Sequence, residues 1–355
     1  MSIRELTIDE FNAFVRNSPL GTHYQTFNYA LLMGENGYEY ELVGMFNEYN
    51  QLKAASLILF KNLKMHYKYG YAPKGFILDY FNQEIVSEFA TLLKSYYKKK
   101  KVVFIKINPE IAISEIDKET GLKTYNWNYN ILEIMEKAGF KKLKNNLYFE
   151  SVLPRFSAVV SLKNYSMNSV SKNTRNKIRR AHHKGLHIEL AEKSGIDILQ
   201  KFIKNKRTIN EYYYKDYYNV FKKDDMIDLF LVSIDSEEFL MNSRELYEKE
   251  LEINNRLVSL LNRENNKRNL NKKMDSDRKI LNYKQDVKFA TELNTKKDKV
   301  YIAGALVIKY QNRVQILMSG YDKKYKRFEA NYYLHDEILK YYQKNYDYAE
   351  LNGLT

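Results

Sequence analysis

The sequence predicts an α/β protein whose plan runs twice, with a charged helical hairpin set into the second copy. Three observations predict it. Short apolar, β-branched runs alternate with amphipathic stretches up to about residue 154. The alternation starts afresh after Arg155. Residues 237–297 contain neither Pro nor Gly and carry apolar residues at heptad-like steps.

In the first block, 1–154, residues 41–46 and 53–60 read as strands flanking a turn at Asn47-Glu48-Tyr49-Asn50. Ile85, Phe89, Leu92, Leu93 and Tyr96 recur at helical spacing, which predicts a helix over 83–98. The run 102–107 before Pro109 reads as a buried strand, 129–139 as a helix closed by Gly139, and 149–153 as the end of the block.

The second block, 155–355, repeats the plan with a strand at 156–162, a strongly basic helix over 168–184 stopped by Gly185, a strand at 187–191 and a helix over 197–214. Residues 229–234 and 303–310 read as neighbouring strands of one sheet, followed by a strand at 315–319 and a helix over 330–343. Between them Leu246, Glu250, Ile253, Leu257 and Leu260 step by four and three, and Ile280, Tyr283, Val287, Ala290 and Asn294 by three and four. Two antiparallel helices forming a short coiled-coil arm fit this pattern, with polar 262–277 as the tip.

The chain has 355 residues, 44% hydrophobic and 14% aromatic, enough for two cored domains. It has no cysteine, which excludes disulfides, thiolate metal sites and a Cys nucleophile. The N-terminal stretch is acidic without an apolar core, and the most apolar run, 54–60, is too short to span a bilayer, so a cytoplasmic location is expected. Lys and Arg number 58 against 44 Asp and Glu, a net charge of +14. That surplus suits RNA, nucleotide-linked substrates or the inner leaflet of a membrane, although an AT-rich codon bias also enriches Lys.

No G-x-x-x-x-G-K-[ST] loop, G-x-G-x-x-G turn, H-E-x-x-H helix or G-x-S-x-G elbow occurs. His182, His183 and His187 cluster, but Gly185 interrupts them and no nearby carboxylate in sequence completes a metal set. The stretch Lys326-Arg327-Phe328-Glu329-Ala330-Asn331 lacks the glycine turn that a CoA pyrophosphate needs. No cofactor and no metal are expected.

Several stretches carry a resemblance: His23-Tyr24-Gln25-Thr26 with Gly37-Tyr38, then Tyr71-Ala72-Pro73-Lys74-Gly75-Phe76-Ile77-Leu78-Asp79-Tyr80, Ile107-Asn108-Pro109, the basic run 173–185, Lys215-Asp216-Tyr217-Tyr218-Asn219, Ser319-Gly320 leading to Asn331-Tyr332, and 348–355. In this order they resemble the FemA/FemB/FemX family of peptidoglycan bridge-forming transferases over essentially the whole chain. The resemblance implies two acetyltransferase-like (GNAT-like) domains with mixed sheets. It also implies a tRNA-dependent aminoacyltransferase whose partners are aminoacyl-tRNA and a UDP-linked or lipid-linked muramyl peptide. Peripheral contact with the inner leaflet, and an oligomer with related transferases, are further expectations.

The residues offer chemistry of their own. Gly75 lets backbone approach a ligand while Lys74 presents a point charge; Asp79 either caps the next turn or faces the ligand. Gln25 either orients a polar ligand or is a buried structural amide. Lys172, Arg175, Lys177, Arg179, Arg180 and Lys184 make a single-sign stripe suited to phosphate, with Lys172, Arg175 and Arg179 on one helical face and Ile178 and Ala181 turned to a core. Tyr213, Tyr217 and Tyr218 sit in an aromatic helix end and loop that offers stacking surface, and by resemblance Tyr217 matches a tyrosine that contacts the nucleotide-linked precursor.

The chain departs from the family pattern at four places. Tyr212 or Tyr213 stands where an Arg is common, with Lys206 and Arg207 the nearest cations upstream. Asn108-Pro109 replaces Asp-Pro, a Lys near Met33 is missing, and the sequence stops at Gly353-Leu354-Thr355, before a strand pair with a Phe-Lys motif, which makes it either a fragment or a chain with an incomplete site. These departures leave two rivals to the transferase reading: a non-catalytic paralogue that binds RNA or precursor, and an aminoacyl-tRNA-dependent modifier of another acceptor.

Overall fold

The apolar runs assemble, in a computed structural model of the chain, into two mixed sheets of six strands each. The structure describes residues 1–117, 119–143, 156–203, 212–296 and 299–353.

The first sheet contains β1 (Ser2–Glu5), β2 (Glu39–Phe46), β3 (Leu52–Asn62), β4 (Lys68–Ala72), β5 (Ile77–Leu78) and β6 (Val102–Ile107), in the order β1-β2-β3-β4-β6 with β5 paired to β3. Its neighbours are antiparallel except β4 and β6. The β2–β3 turn is fixed by Asn47, whose side-chain oxygen accepts from Tyr49 and Gln51 N–H, and by Asn50 at φ 55°. α1 (Ile8–Asn17) opens with a Thr7/Glu10 capping box, and α2 (Phe27–Glu35) follows. α3 (Gln83–Lys99), capped by Asn82, buries Val86, Phe89, Leu93 and Tyr97 along one face. A small hairpin of β7 (Ser114–Ile116) and β8 (Lys123–Tyr125) leads to α4 (Ile131–Lys137). The helix expected from residue 129 enters through a 3₁₀ turn at Trp127–Asn130 and ends before Gly139 at φ 89°. The expected block end at 149–153 lies outside the described residues.

The second sheet has the order β10-β11-β12-β13-β14-β9. It comprises β9 (Ser157–Ser161), β10 (Leu186–Ala191), β11 (Ile227–Ile234), β12 (Val300–Tyr310), β13 (Arg313–Tyr321) and β14 (Tyr348–Gly353). It too is antiparallel except for one pair, β13 and β14. β11 is buried along its whole length, which is why it reads as an unbroken apolar run, and it pairs β12 with Ile227 opposite Ile308. α5 (Lys172–His182) is shorter than the expected 168–184, because Ser166 and Ser169 make a turn before Ser171 caps the helix. α6 (Ile196–Ile203) and α7 (Tyr213–Lys222) lie on either side of residues outside the described ones, and the tyrosines at 213–218 lie inside α7 rather than in a loop. α10 (Ala330–Tyr342) follows β13.

The proline-free insert forms α8 (Ser236–Arg263) and α9 (Lys267–Lys296), paired antiparallel: Ser236 bonds Asn294, Glu250 meets Lys279, and Asn254 bonds Ser276 and Asp277. Polar 262–277 is mostly helix, with the turn confined to 264–266. Asn266 accepts from Asn269 N–H, and Lys273 pairs with Asp277 one turn on.

The two sheets share one core. Phe11, Val15, Tyr29 and Leu57 from the first half lie in the same buried cluster as Leu199, Tyr217, Phe221 and Leu306 from the second. Gln311 Nε2 donates to the carbonyls of Arg16 (2.8 Å) and Ser18 (2.9 Å) at the end of α1, and Asn28 bonds Asp224 (2.7 Å), so polar contacts also cross the joint.

Candidate active site between the two sheets

Each sheet holds one parallel pair, and the two pairs meet at the joint. Chain segments leaving β4 and β6 emerge at the same end of the first sheet. There Lys74, just beyond β4, lies 3.9 Å from Glu110, just beyond β6. Asn108 fixes the approach: its side-chain oxygen accepts from the Tyr71 hydroxyl (3.1 Å) and from Lys74 N–H (2.9 Å). Lys74 itself adopts φ 54°, and a Cβ at Gly75 would sit 2.8 Å from Gln25 Nε2, so glycine permits that close approach.

The second sheet completes the site. Arg313, opening β13, places Nη1 3.3 Å from the same Glu110 oxygen, so Glu110 bridges the halves. Glu350 on β14 pairs with Gln315 on β13. It is buried and accepts from the Ser157 hydroxyl. Burial first, then the negative Glu110, push its carboxyl above the ordinary range, while Ser157, Lys74 and Arg313 oppose the rise. Thr22, His23, Glu110, Arg313, Gln315 and Glu350 line one small cleft. It presents one cation, Arg313, and two acids, Glu110 and Glu350, with Lys74 paired to Glu110 beside it.

His23 is buried beside them. Burial, then Lys74 and Arg313, lower its pKa to about 3, so it is neutral at pH 7, and its Nε2 has no hydrogen-bond partner among the described residues. Its ring lies 6.3 Å from that of Tyr217, whose buried hydroxyl is likewise unpartnered among the described residues. The linkage has a definite sign. Between its folded and unfolded pKa values the unfolded chain binds a proton that the folded chain refuses, so stability falls as pH drops below the unfolded value of about 6.5. Urea unfolding at pH 6.5 and pH 5 should show a loss of about 1.6 kcal/mol from this group, absent in His23→Gln. An equal loss in the variant would assign the acid sensitivity elsewhere.

The sequence candidates divide. Lys74 pairs with Glu110, which lines the cleft, and Gly75 follows it in the turn. Gln25 is fully buried, and backbone consumes its amide: Nε2 donates to the Pro73 and Leu57 carbonyls (2.8 and 3.2 Å), and Oε1 accepts from Leu57 N–H (2.8 Å). Its place is structural. Asp79 is exposed and accepts from Phe81 N–H (3.0 Å), a turn-capping role. Tyr217 is 3% exposed and stacks on Phe221 at 4.8 Å, so it fills the joint and offers no open stacking surface. Tyr218, equally buried, hydrogen-bonds Glu192 (3.3 Å). Tyr213 is half-buried against Tyr217, with ring centroids 5.7 Å apart.

The basic stripe is partly engaged. Lys177 bonds the Tyr332 hydroxyl (2.7 Å), Arg180 faces Glu329 (3.5 Å), Lys184 donates to the Arg327 carbonyl, and Arg175 reaches the Met167 carbonyl and Asn168. Lys184 is half-buried, and burial lowers its pKa. Lys172 and Arg179 are exposed and without a partner among the described residues. Lys206 and Arg207 lie outside the described residues.

The fold does bring carboxylates to the histidines, which sequence spacing did not anticipate: His182 to Asp336 and Glu337, His187 to Asp235 and Glu238. Asp336 is already occupied by Lys340 (2.7 Å) and Tyr165 (2.6 Å), and Asp235 caps α8, so protein groups already occupy an acid in each set. Glu110, Arg313 and Glu350 were absent from the sequence-based candidates. The available signals were Glu110 directly after a strand-ending Asn-Pro and Glu350 as an acid within a strand.

Among the described residues no helix is long and apolar enough to cross a membrane. The chain is 25% identical over 354 residues to a lipid II:glycine glycyltransferase of Staphylococcus epidermidis, covering 96% of this chain and 81% of the relative. It is 25% identical over 359 residues to the aminoacyltransferase FemA of the same species, covering 96% and 84%. The fold is similar to the crystal structure of FemX, with a TM-score of 0.75 and 21% identity over all of this chain and 89% of that one. The model of the FemAB family matches residues 6–355, and the chain belongs to that family.

Proposed function

We propose that this aminoacyltransferase moves an amino acid from aminoacyl-tRNA to an amine of a muramyl peptide, in the cleft where the two sheets meet. The observation that carries the site is the Lys74–Glu110–Arg313 chain, in which one carboxylate at the edge of a concavity holds a cation from each half. The relatives' activities, glycyl transfer on lipid II and aminoacyl transfer by FemA, support the reaction class and favour a lipid-linked acceptor. In this reading Lys74 and the Gly75 backbone contact the acceptor, and each sheet with its helices is one domain, the division falling near residue 155.

The chemistry asks for alignment more than for activation. The aminoacyl ester is already reactive, and holding amine and ester together supplies effective molarities of roughly 10⁵ M or more. The amine must shed a proton, since a free Lys amine has a pKa of about 10.4.

The test is transfer of labelled amino acid from charged tRNA, offered a lipid-linked and a UDP-linked muramyl peptide in parallel. Label in the lipid-linked product is expected. Binding of both substrates without transfer would instead support the non-catalytic paralogue.

Among the described residues Lys172 and Arg179 are the exposed cations of α5 without a partner, free to meet tRNA phosphates. Lys172→Ala with Arg179→Ala should lower the log–log salt slope of tRNA binding by about 1.4–1.8, at about 0.7–0.9 for each lost contact. An unchanged slope would make this face a solvated surface.

A further inference from the structure

We infer that Glu350 receives the acceptor's ammonium group in the cleft and takes its proton, acting as the general base of the transfer. The inference rests on the reaction proposed above.

Among the described residues Glu350 is a buried carboxylate without a cation of its own. Lys74 and Arg313 both reach Glu110, at 3.9 and 3.3 Å, and no salt bridge to Glu350 forms among the described residues. Its one hydrogen-bond donor among those residues is the neutral Ser157 hydroxyl. An acid buried this way is costly unless a positive group joins it. The acceptor's ammonium is the positive group that the reaction brings. A second, independent feature belongs to the same cleft: His23, 3% exposed and neutral, is among its lining residues, and its buried Nε2 has no hydrogen-bond partner among the described residues. Glu350 can therefore accept an N–H of an ammonium group that enters the cleft beside His23.

The groups that face Glu350 set its basicity. Glu110 raises its proton affinity, whereas Lys74, Arg313 and the Ser157 hydroxyl lower it; Tyr24 lies close enough to feel its charge, and His23 lines the same space. A carboxyl held above its ordinary range is a better proton acceptor near neutral pH than an exposed one.

The step balances. The ammonium gives one proton to Glu350 and becomes a neutral amine. The amine nitrogen attacks the ester carbonyl, the C–N bond forms and the C–O bond to the tRNA ribose breaks. The second proton leaving nitrogen goes to the ribose oxygen, which departs as a hydroxyl, and Glu350 returns its proton to solvent.

The experiment is single-turnover transfer at saturating acceptor from about pH 5 to pH 9, comparing wild type, Glu350→Gln and Ser157→Ala. Glu350→Gln should slow transfer about 100-fold or more, with the acid-side fall of the wild-type profile gone and acceptor affinity changed only several-fold. Ser157→Ala, which removes a hydrogen bond to the charged form, should move the acid-side fall to higher pH by up to about one unit, and it keeps the test open should Glu350→Gln fold poorly. A Glu350→Gln enzyme of wild-type rate, or one that loses only affinity while its acid limb stays, overturns the inference, as does a Ser157→Ala profile that does not move. Absence of transfer by the wild type would instead defeat the reaction proposed above, and so the two failures read differently.

Discussion

Replacing Tyr217 with Ala should cost about 3–5 kcal/mol of unfolding free energy, the toll of emptying a large aromatic site in a close-packed core. Tyr217 stacks on Phe221 and lies against His23, which the first half contributes, so the cavity would open at the joint between the sheets. The tyrosine at this position was expected to stack on substrate; its burial makes it a keystone of the two-sheet arrangement instead. Tyr217→Phe separates the two roles. The hydroxyl is buried with no partner among the described residues, so losing it should leave stability equal or slightly higher. Urea unfolding of both variants decides: an Ala variant as stable as wild type would remove Tyr217 from the joint. A stable Phe variant that no longer binds precursor would give the hydroxyl a direct role.

What the sequence disclosed was local. β11 and β12 were legible because each is a short, buried, β-branched run ended by polar residues, and the paired helices α8 and α9 because nothing in 237–297 breaks a helix. The register of α7 was also written down, yet hidden by crowding. Tyr214, Tyr217, Tyr218 and Phe221 are spaced as one helical face, but five tyrosines between 212 and 218 mask that stripe as an aromatic loop. Contacts across long sequence distances left no trace. Arg180 meets Glu329 and Lys177 meets Tyr332, partners that enter with α10, so a stripe that reads as unpaired along α5 is half engaged in space. The same holds for the cleft. Lys74, Glu110, Arg313 and Glu350 come from four segments, and only the meeting of two parallel strand pairs makes them neighbours.

Gln25 joins stability to the site, and Gln25→Ala should cost on the order of 3–6 kcal/mol. The side chain serves three backbone groups in a place without solvent: Leu57 N–H, Leu57 carbonyl and Pro73 carbonyl. Each buried group left unpaired costs about 1–3 kcal/mol. The loss also frees Pro73, and with it the turn that presents Lys74, so whatever protein remains folded should bind acceptor more weakly. Gln25→Glu isolates the hydrogen-bond argument because shape is retained. The acceptor to Leu57 N–H survives, but an oxygen now faces two carbonyl oxygens in place of an amide donor. A buried carboxyl has its pKa raised, so the protonated form, which restores one donor, is favoured in the folded state. The destabilisation of Gln25→Glu is then least below the unfolded carboxyl pKa of about 4.3 and grows as pH rises through and above it. The stability lost by the Glu variant relative to wild type should therefore be larger at pH 7 than at pH 4. If the Glu variant matches wild type at pH 7, the amide is not the clamp that holds the Lys74 turn to β3, and the position of Lys74 must be set by Asn108 alone.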